Sequence, residues 1–305
     1  MKKIKNEVYL DFLGKVENRT LKVSFKNKVS KSTLFISKKT GTLFHSPNES
    51  TESSLEEWSQ RIFSKKIDTS KIKYSSENPI MKSRHYYSAL FLNQHLKRNK
   101  KIMLCDFGAG EGNFAKELFR VNNQIVYNFT EHSSKLFRKT KKIIEKNSKN
   151  NFKSYNGSIE GIDNLRNFNN FDCASLLWTL CNCINPLEVL RVINKSLKKN
   201  GLLIVSESSR ILVPFKKPID NFFVSEFETR NTHPWFFSYN SLSNLLEISG
   251  FRIISKNRFY DENDLVIVAK KMNKKKHKPK IIIDDSRKVL NFLKEWEKFT
   301  YSYLK

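Results

Sequence analysis

The stretch KIMLCDFGAGEGNFAKELF, residues 101–119, constrains the fold more than any other part of the chain. An apolar run ends in an acid, Asp106, and a loop carrying Gly108, Gly110 and Gly112 then opens a helical pattern. Nine glycines serve 305 residues, and three of them fall within five positions here, so something has to come close to the main chain. Strand, glycine loop and helix in that order point to an α/β fold. In such folds ligands bind outside the carboxyl ends of the strands, where the strand order reverses.

The sequence around this unit keeps the same alternation. SRHYYSALFLNQHL precedes it with apolar residues three and four apart, as in a helix. Strand IVYNFT and helix SSKLFRKTKKIIEK follow, then a short strand near FKSYNG, FDCASLLW, helix NPLEVLRVINKSLK, the turn KNG and strand LLIVSE. Strands alternating with helices at this spacing predict a doubly wound, mostly parallel sheet. FRIISKNRFY and DLVIVAKK are separated only by Asp261, Glu262 and Asn263, which is hairpin spacing, so the sheet should close with an antiparallel pair. Residues 1–80 contain short β-like pieces (EVYLDFL, TLKVSF, STLFIS, GTLFHS) and a helix start near Ser53 or Ser54. The expected organisation is a small β-rich element at 1–80, the α/β domain at 81–272 with an aromatic lid insertion at about 208–237, and a basic linker with a terminal helix at 273–305. No internal repeat is present.

Two cofactor classes suit a glycine loop after a strand. The dinucleotide fingerprint G-x-G-x-x-G fails because Asn113 occupies its third glycine position. The pattern present, Asp106-x-Gly108-x-Gly110-x-Gly112, resembles motif I of the class I S-adenosylmethionine-dependent methyltransferases. The resemblance runs from about residue 100 to 270. It includes FDCASLLWTLCNCINPLEVLRVINKSLKKNGLLIVSES, like the family's fourth-strand, helix and fifth-strand block, and FFSYNSLSNLLEISGFRIIS, like its last helix and sixth strand. It implies a seven-stranded Rossmann-like sheet and S-adenosyl-L-methionine as cofactor. Asp106, Gly108, Ala109 and Gly110 would line its site. Glu131 would accept hydrogen bonds from the ribose diol, and Ser158 and Ile159 would lie against the adenine. The acid that the family often places after its third strand is replaced here by Ser158 and Ile159.

For the acceptor, the resemblance points to enzymes acting on small molecules, including sugars or nucleotide-sugars. The Asn/Asp-Pro-Pro-aromatic motif of amino-group base methylation is absent, and Cys181 and Cys183 lack the setting of a cytosine-C5 nucleophile. The lid supplies His233 as a candidate base, against a structural role beside Pro234. Arg210 is a candidate for an anionic group, against a surface ion pair. Trp235 is a candidate for stacking on substrate, against a place in the lid's own core. No His/Asp/Glu cluster has metal-ligand spacing, and the N-terminal element has no cysteine for zinc.

The net charge of +26 invites a polyanion, yet 43 of the 56 basic residues are lysines and only 13 are the arginines that grip phosphates in two-pronged fashion. An RNA-directed methyltransferase using KKKHKPK and the lysine-rich helix 135–149 is the second reading. A non-catalytic cofactor-binding subunit that docks through its terminal helix is the third. No apolar run reaches membrane-spanning length, four cysteines fit a reduced compartment, and 39% hydrophobic content supports a core, so the expected setting is cytoplasmic.

Overall fold

A computed structural model describes residues 9–10, 16–17, 20–23, 33–46, 79–97, 100–148, 150–164, 168–208, 211–214, 218–219, 234–257, 264–273 and 278–303. The helix start at Ser53 or Ser54, Arg210 and His233 lie outside these residues.

The central strands owe their place to uninterrupted apolar sequence. β6 (Ile102–Phe107), β7 (Ile125–Glu131), β9 (Phe171–Leu177) and the outer part of β10 (Leu197–Glu207) are buried almost throughout, as strands covered on both faces must be. With β8 (Ser154–Asn156), β12 (Phe251–Lys256) and β13 (Leu265–Lys271) they form one seven-stranded sheet, in the order β12-β13-β10-β9-β6-β7-β8. β8, β7, β6, β9 and β10 run parallel, and β13 is antiparallel to both β10 and β12. The expected closing hairpin is therefore present. Its last strand sits between β10 and β12, and the strand order reverses between β6 and β9.

Local chemistry fixes the helix ends. α1 (Pro79–Asn93) packs against α2 (Asn113–Val121). α3 (Ser134–Asn147) starts where the Ser133 side chain accepts from the Leu136 N–H, and α4 (Pro186–Ser196) where Asn185 caps Glu188 with proline at the first turn. α5 (Tyr239–Ile248) has a reciprocal capping box between Ser238 and Ser241.

Outside this sheet, residues that are distant in sequence share one layer. β1 (Tyr9–Leu10) and β2 (Val16–Glu17) form a separate two-residue pair. β3 (Thr20–Val23), β4 (Thr33–Ser37) and β5 (Leu43–Ser46) form an antiparallel meander, and β11 (Trp235–Phe236), from the lid, pairs onto β5. The terminal helix α6 (Ser286–Tyr303) covers this four-stranded sheet. Val289, Leu293 and Trp296 pack with Leu34, Ile36, Leu43 and Phe236. The strands that the sequence presents as a separate N-terminal element thus share a core with Ile211, Ile219 and Phe236 and with the terminal helix. The terminal helix packs in cis, and Asp284 before it accepts hydrogen bonds from Ser238 and from Asn240 (2.7 Å) at the start of α5.

Candidate active site

The glycine loop leaves β6 at the switch point, and all three of its glycines are left-handed, with φ of 75°, 56° and 73° at Gly108, Gly110 and Gly112. Each needs glycine for a different reason. A Cβ at Gly108 would lie 2.7 Å from Thr179 Cγ2, in the turn that follows β9. One at Gly112 would lie 3.0 Å from both Ile143 Cδ1 and Thr140 Oγ1, where α2 packs on α3. One at Gly110 would meet nothing within 4 Å, so the main chain there faces open space. The loop itself is tied down. The Gly108 and Ala109 N–H groups donate to Thr130 O (3.0 and 2.9 Å), and Thr140 Oγ1 donates to Gly110 O (2.9 Å).

Glu131 ends the next strand and reaches back to this loop. Its Oε2 accepts from Gly110 N (2.8 Å) and its Oε1 from Ser133 N (2.9 Å). A carboxylate offers about four acceptor directions, so these bonds leave it capacity for a diol. Burial raises its pKa, partly offset by these backbone hydrogen bonds. Asp106 behaves differently. It is 2% exposed, and Tyr127 of β7 and Ser175 of β9 (2.7 Å) each donate a hydroxyl to one of its oxygens. It therefore joins three strands beneath the loop and positions the site from within the sheet, where the sequence suggested a direct cofactor contact. Burial, opposed by those two hydrogen bonds, pushes its pKa up to about 6. Ile159, 7% exposed, opens the short helical turn after β8 next to half-exposed Ser158, at the edge expected for the adenine.

The other side of the switch point carries residues that sequence reasoning missed. Trp178, directly after β9, is left-handed at φ 52°, a strained state for a bulky residue. Its N–H donates to Ser206 O (2.7 Å) and its Nε1 to Asp264 Oδ1 (2.9 Å). Arg84 of α1 pairs with the other Asp264 oxygen (2.7 Å) and stacks over the indole (5.8 Å), while His85 meets that ring edge-on (5.0 Å). Next to this group, Glu207 ends β10. Leu180 N (2.7 Å) and Cys181 N (3.3 Å) donate to its Oε1, and its Oε2 has no partner among the described residues. The only sequence signal for these residues was position: Trp178 and Glu207 each close an apolar strand, and Asp264 precedes one.

Trp235 lies elsewhere. It is 2% exposed, its indole packs on Phe44 (5.7 Å), and its Nε1 donates to Cys183 O (3.0 Å). The ring presents no open face for stacking on substrate and instead bolts β11 to the connection after β9.

The crevice fits an adenosine-bearing cofactor. Among the described residues, five buried polar side-chain atoms lack a partner, and four of them rim the carboxyl ends of the strands: Asn113 Oδ1, His132 Nδ1, Ser206 Oγ and Glu207 Oε2. Such groups normally find partners, so they call for a ligand or water. Glycine main chain facing open space beside a carboxylate with spare acceptor sites is what a ribose and its methionyl chain need.

Fold and site together define a class I methyltransferase. Residues 81–256 match the methyltransferase-domain family, and the chain belongs to it. It is an S-adenosylmethionine-dependent methyltransferase, with S-adenosylmethionine as its cofactor. A search of curated proteins finds no match. Among solved structures, the chain resembles a putative O-methyltransferase from Nostoc punctiforme (TM-score 0.50, 17% identity, 63% of this chain and 57% of that one). It also resembles a putative sarcosine dimethylglycine methyltransferase from Galdieria sulphuraria (TM-score 0.50, 12% identity, 62% and 86%). At these identities the likeness is one of fold. No helix among the described residues is long and apolar enough to cross a membrane.

Proposed function

We propose that this enzyme methylates a hydroxyl group of a small molecule, of the sugar or nucleotide-sugar kind. When bound, S-adenosylmethionine supplies an electrophilic methyl group, which leaves the protein to align the acceptor and receive its proton. The observation that carries the reading is the anchoring of the lid. Trp235 Nε1 is bonded to Cys183 O just past β9, and β11 is paired onto β5 and covered by α6, so a folded layer stands against the connection that follows β9. A cover of this kind suits a small acceptor that has to be screened from water. On this reading residues 1–80, the lid at 208–237 and the tail at 273–305 serve the acceptor side of the domain at 81–272. Arg210 and His233, which fall within the lid, are its candidates for holding an anionic group and for holding the acceptor or its proton.

Radiolabelled methyl transfer to a panel of monosaccharides and nucleoside-diphosphate sugars tests the proposal, after calorimetry with S-adenosylhomocysteine and with NAD. Transfer to at least one panel member is the expected result. Binding of S-adenosylhomocysteine with transfer only to RNA would replace it with the second reading. That reading has one specific support, the exposed Lys135, Arg138, Lys139, Lys141, Lys142 and Lys146 of α3. Such a face binds phosphates with a steep salt dependence.

A further inference from the structure

Glu207 is a buried carboxylic acid that the cofactor site does not use. It lies at the carboxyl end of β10, in register with Leu265 of β13, and Ser206 beside it pairs with Leu177 at the end of β9. One turn, Thr179 to Cys181, separates it from the glycine loop. Thr179 stands against Gly108, and the Leu180 and Cys181 N–H groups bind Glu207 Oε1. Glu207 is 1% exposed, and among the described residues its buried Oε2 has no hydrogen-bond partner. A carboxyl group serving only to cap the turn would need one oxygen. The second lies buried beside the turn that backs the glycine loop, and an unpaired buried oxygen is costly unless a ligand completes it.

We infer that Glu207 Oε2 is the proton acceptor for the substrate hydroxyl. This rests on the proposed hydroxyl acceptor. As the acceptor oxygen bonds to the methyl carbon, the methyl–sulfur bond breaks with its electron pair left on sulfur. The hydroxyl proton passes to Oε2. A cation, a neutral alcohol and a carboxylate thus become a thioether, a methyl ether and a carboxylic acid, and the acid later releases its proton to water. The geometry suits the task because the N–H groups on Oε1 fix the carboxyl plane and leave Oε2 to the substrate. Burial, opposed first by the Cys181 side chain and then by the Leu180, Cys181 and Thr179 N–H groups, also pushes the Glu207 pKa up to about 7, where a general base works best at neutral pH.

The test compares wild type, Glu207→Gln, Glu207→Asp and His233→Ala in the full chain. Calorimetry with S-adenosylhomocysteine should give equal affinity for wild type and Glu207→Gln, because the amide oxygen still accepts from the turn; this checks that the variant is folded. In the sugar panel, Glu207→Gln should lower kcat on the order of 100-fold with little change in KM. It should also erase the rise of rate with pH centred near 7, and Glu207→Asp should recover part of it. An unchanged rate and pH profile in Glu207→Gln, or loss of the pH limb only in His233→Ala, would overturn the inference while leaving the sugar acceptor standing. If wild type binds S-adenosylhomocysteine but methylates no panel member, the acceptor reading fails, and infrared difference spectra decide for Glu207. A carboxylic C=O band that disappears between pH 5 and 9 in wild type and is missing in Glu207→Gln supports the inference. A carboxyl group that keeps one protonation state across that range defeats it.

Discussion

The two halves of the crevice are built in opposite ways. On the β6–β7 side, left-handed positions are occupied by glycine and the loop's amides and carboxylates are paired: Gly108 and Ala109 to Thr130, Gly110 to Glu131, Asp106 to Tyr127 and Ser175. On the β9–β10 side, a tryptophan holds the left-handed position and a glutamate keeps an unpaired oxygen. One half is relaxed and shaped by main chain. Both keep unpaired buried polar atoms among the described residues, Asn113 Oδ1 and His132 Nδ1 in the first and Ser206 Oγ and Glu207 Oε2 in the second, and the second also stores strain, at Trp178. A cofactor shared across a family calls for the first kind of surface, and an acceptor particular to one enzyme calls for the second.

The largest expected effect separates two glycines on the relaxed side. Gly108→Ala combines left-handed strain of about 1–2 kcal/mol with overlap against Thr179 of about 1–3 kcal/mol. Both stability in urea unfolding and affinity for S-adenosylhomocysteine should fall. Gly110→Ala carries the strain but no overlap, so its stability loss should stay near about 1–2 kcal/mol, while affinity falls as far as in Gly108→Ala. Equal stability losses in the two variants would show that Gly110 does not face the ligand.

Next in size is a stabilisation on the strained side. The folded pKa of Glu207 is about 7, against 4.5 ordinarily. Its neutral form therefore suits the fold: the contribution is complete below the ordinary carboxylate range and is lost as pH rises through about 7. Asp106, raised to about 6, acts with the same sign, so only the difference between wild type and variant isolates Glu207. Glu207→Gln should be more stable than wild type by about 3 kcal/mol at pH 8 and should lose that advantage by pH 4, as measured by thermal unfolding. A difference that does not change with pH would mean that Glu207 ionises at no cost and that the two halves are more alike than they look.

What the sequence disclosed follows the same division. The sheet, its antiparallel closing pair and the loop were legible because apolar runs, hairpin spacing and glycine patterning are local signals. That the second strand ends at Glu131 was legible from its apolar run as well. Arg84, Trp178, Glu207 and Asp264 were not, since ordinary residue types become a group only when strands far apart in sequence are set side by side. The Trp178–Asp264 bond, for example, spans 86 residues. The place of Trp235 was hidden in the same way. An aromatic run in an insertion reads as a lid, and only the pairing of β11 onto β5 shows that its indole is spent on the core.

Glu131→Gln tests how much of the relaxed half depends on charge. Amide oxygen can still accept from one N–H, but the charge-assisted bonds to Gly110, Ser133 and a ribose diol weaken together. S-adenosylhomocysteine affinity should fall by about 2 kcal/mol, roughly 30-fold, in calorimetry, with unfolding almost unchanged. Unaltered affinity would leave the ribose without its expected partner.

The smallest effect asks whether the halves are independent. Arg84 and Asp264 side chains are 23% and 20% exposed, so their ion pair is partly screened, and Asp264 also receives the Trp178 indole N–H. Arg84→Gln removes the charge but keeps a donor of similar reach. Stability should drop by about 1 kcal/mol or less, more at low salt than at high salt. Affinity for S-adenosylhomocysteine should stay as it is, because the Arg84–Asp264 pair is built on Trp178 and not on the Gly110–Glu131 contact. The substitution also loosens a charged contact between α1 and the strained residue after β9. If cofactor affinity falls along with stability, the strain at Trp178 reaches Gly108 through Thr179, and the acceptor half sets the shape of the cofactor half.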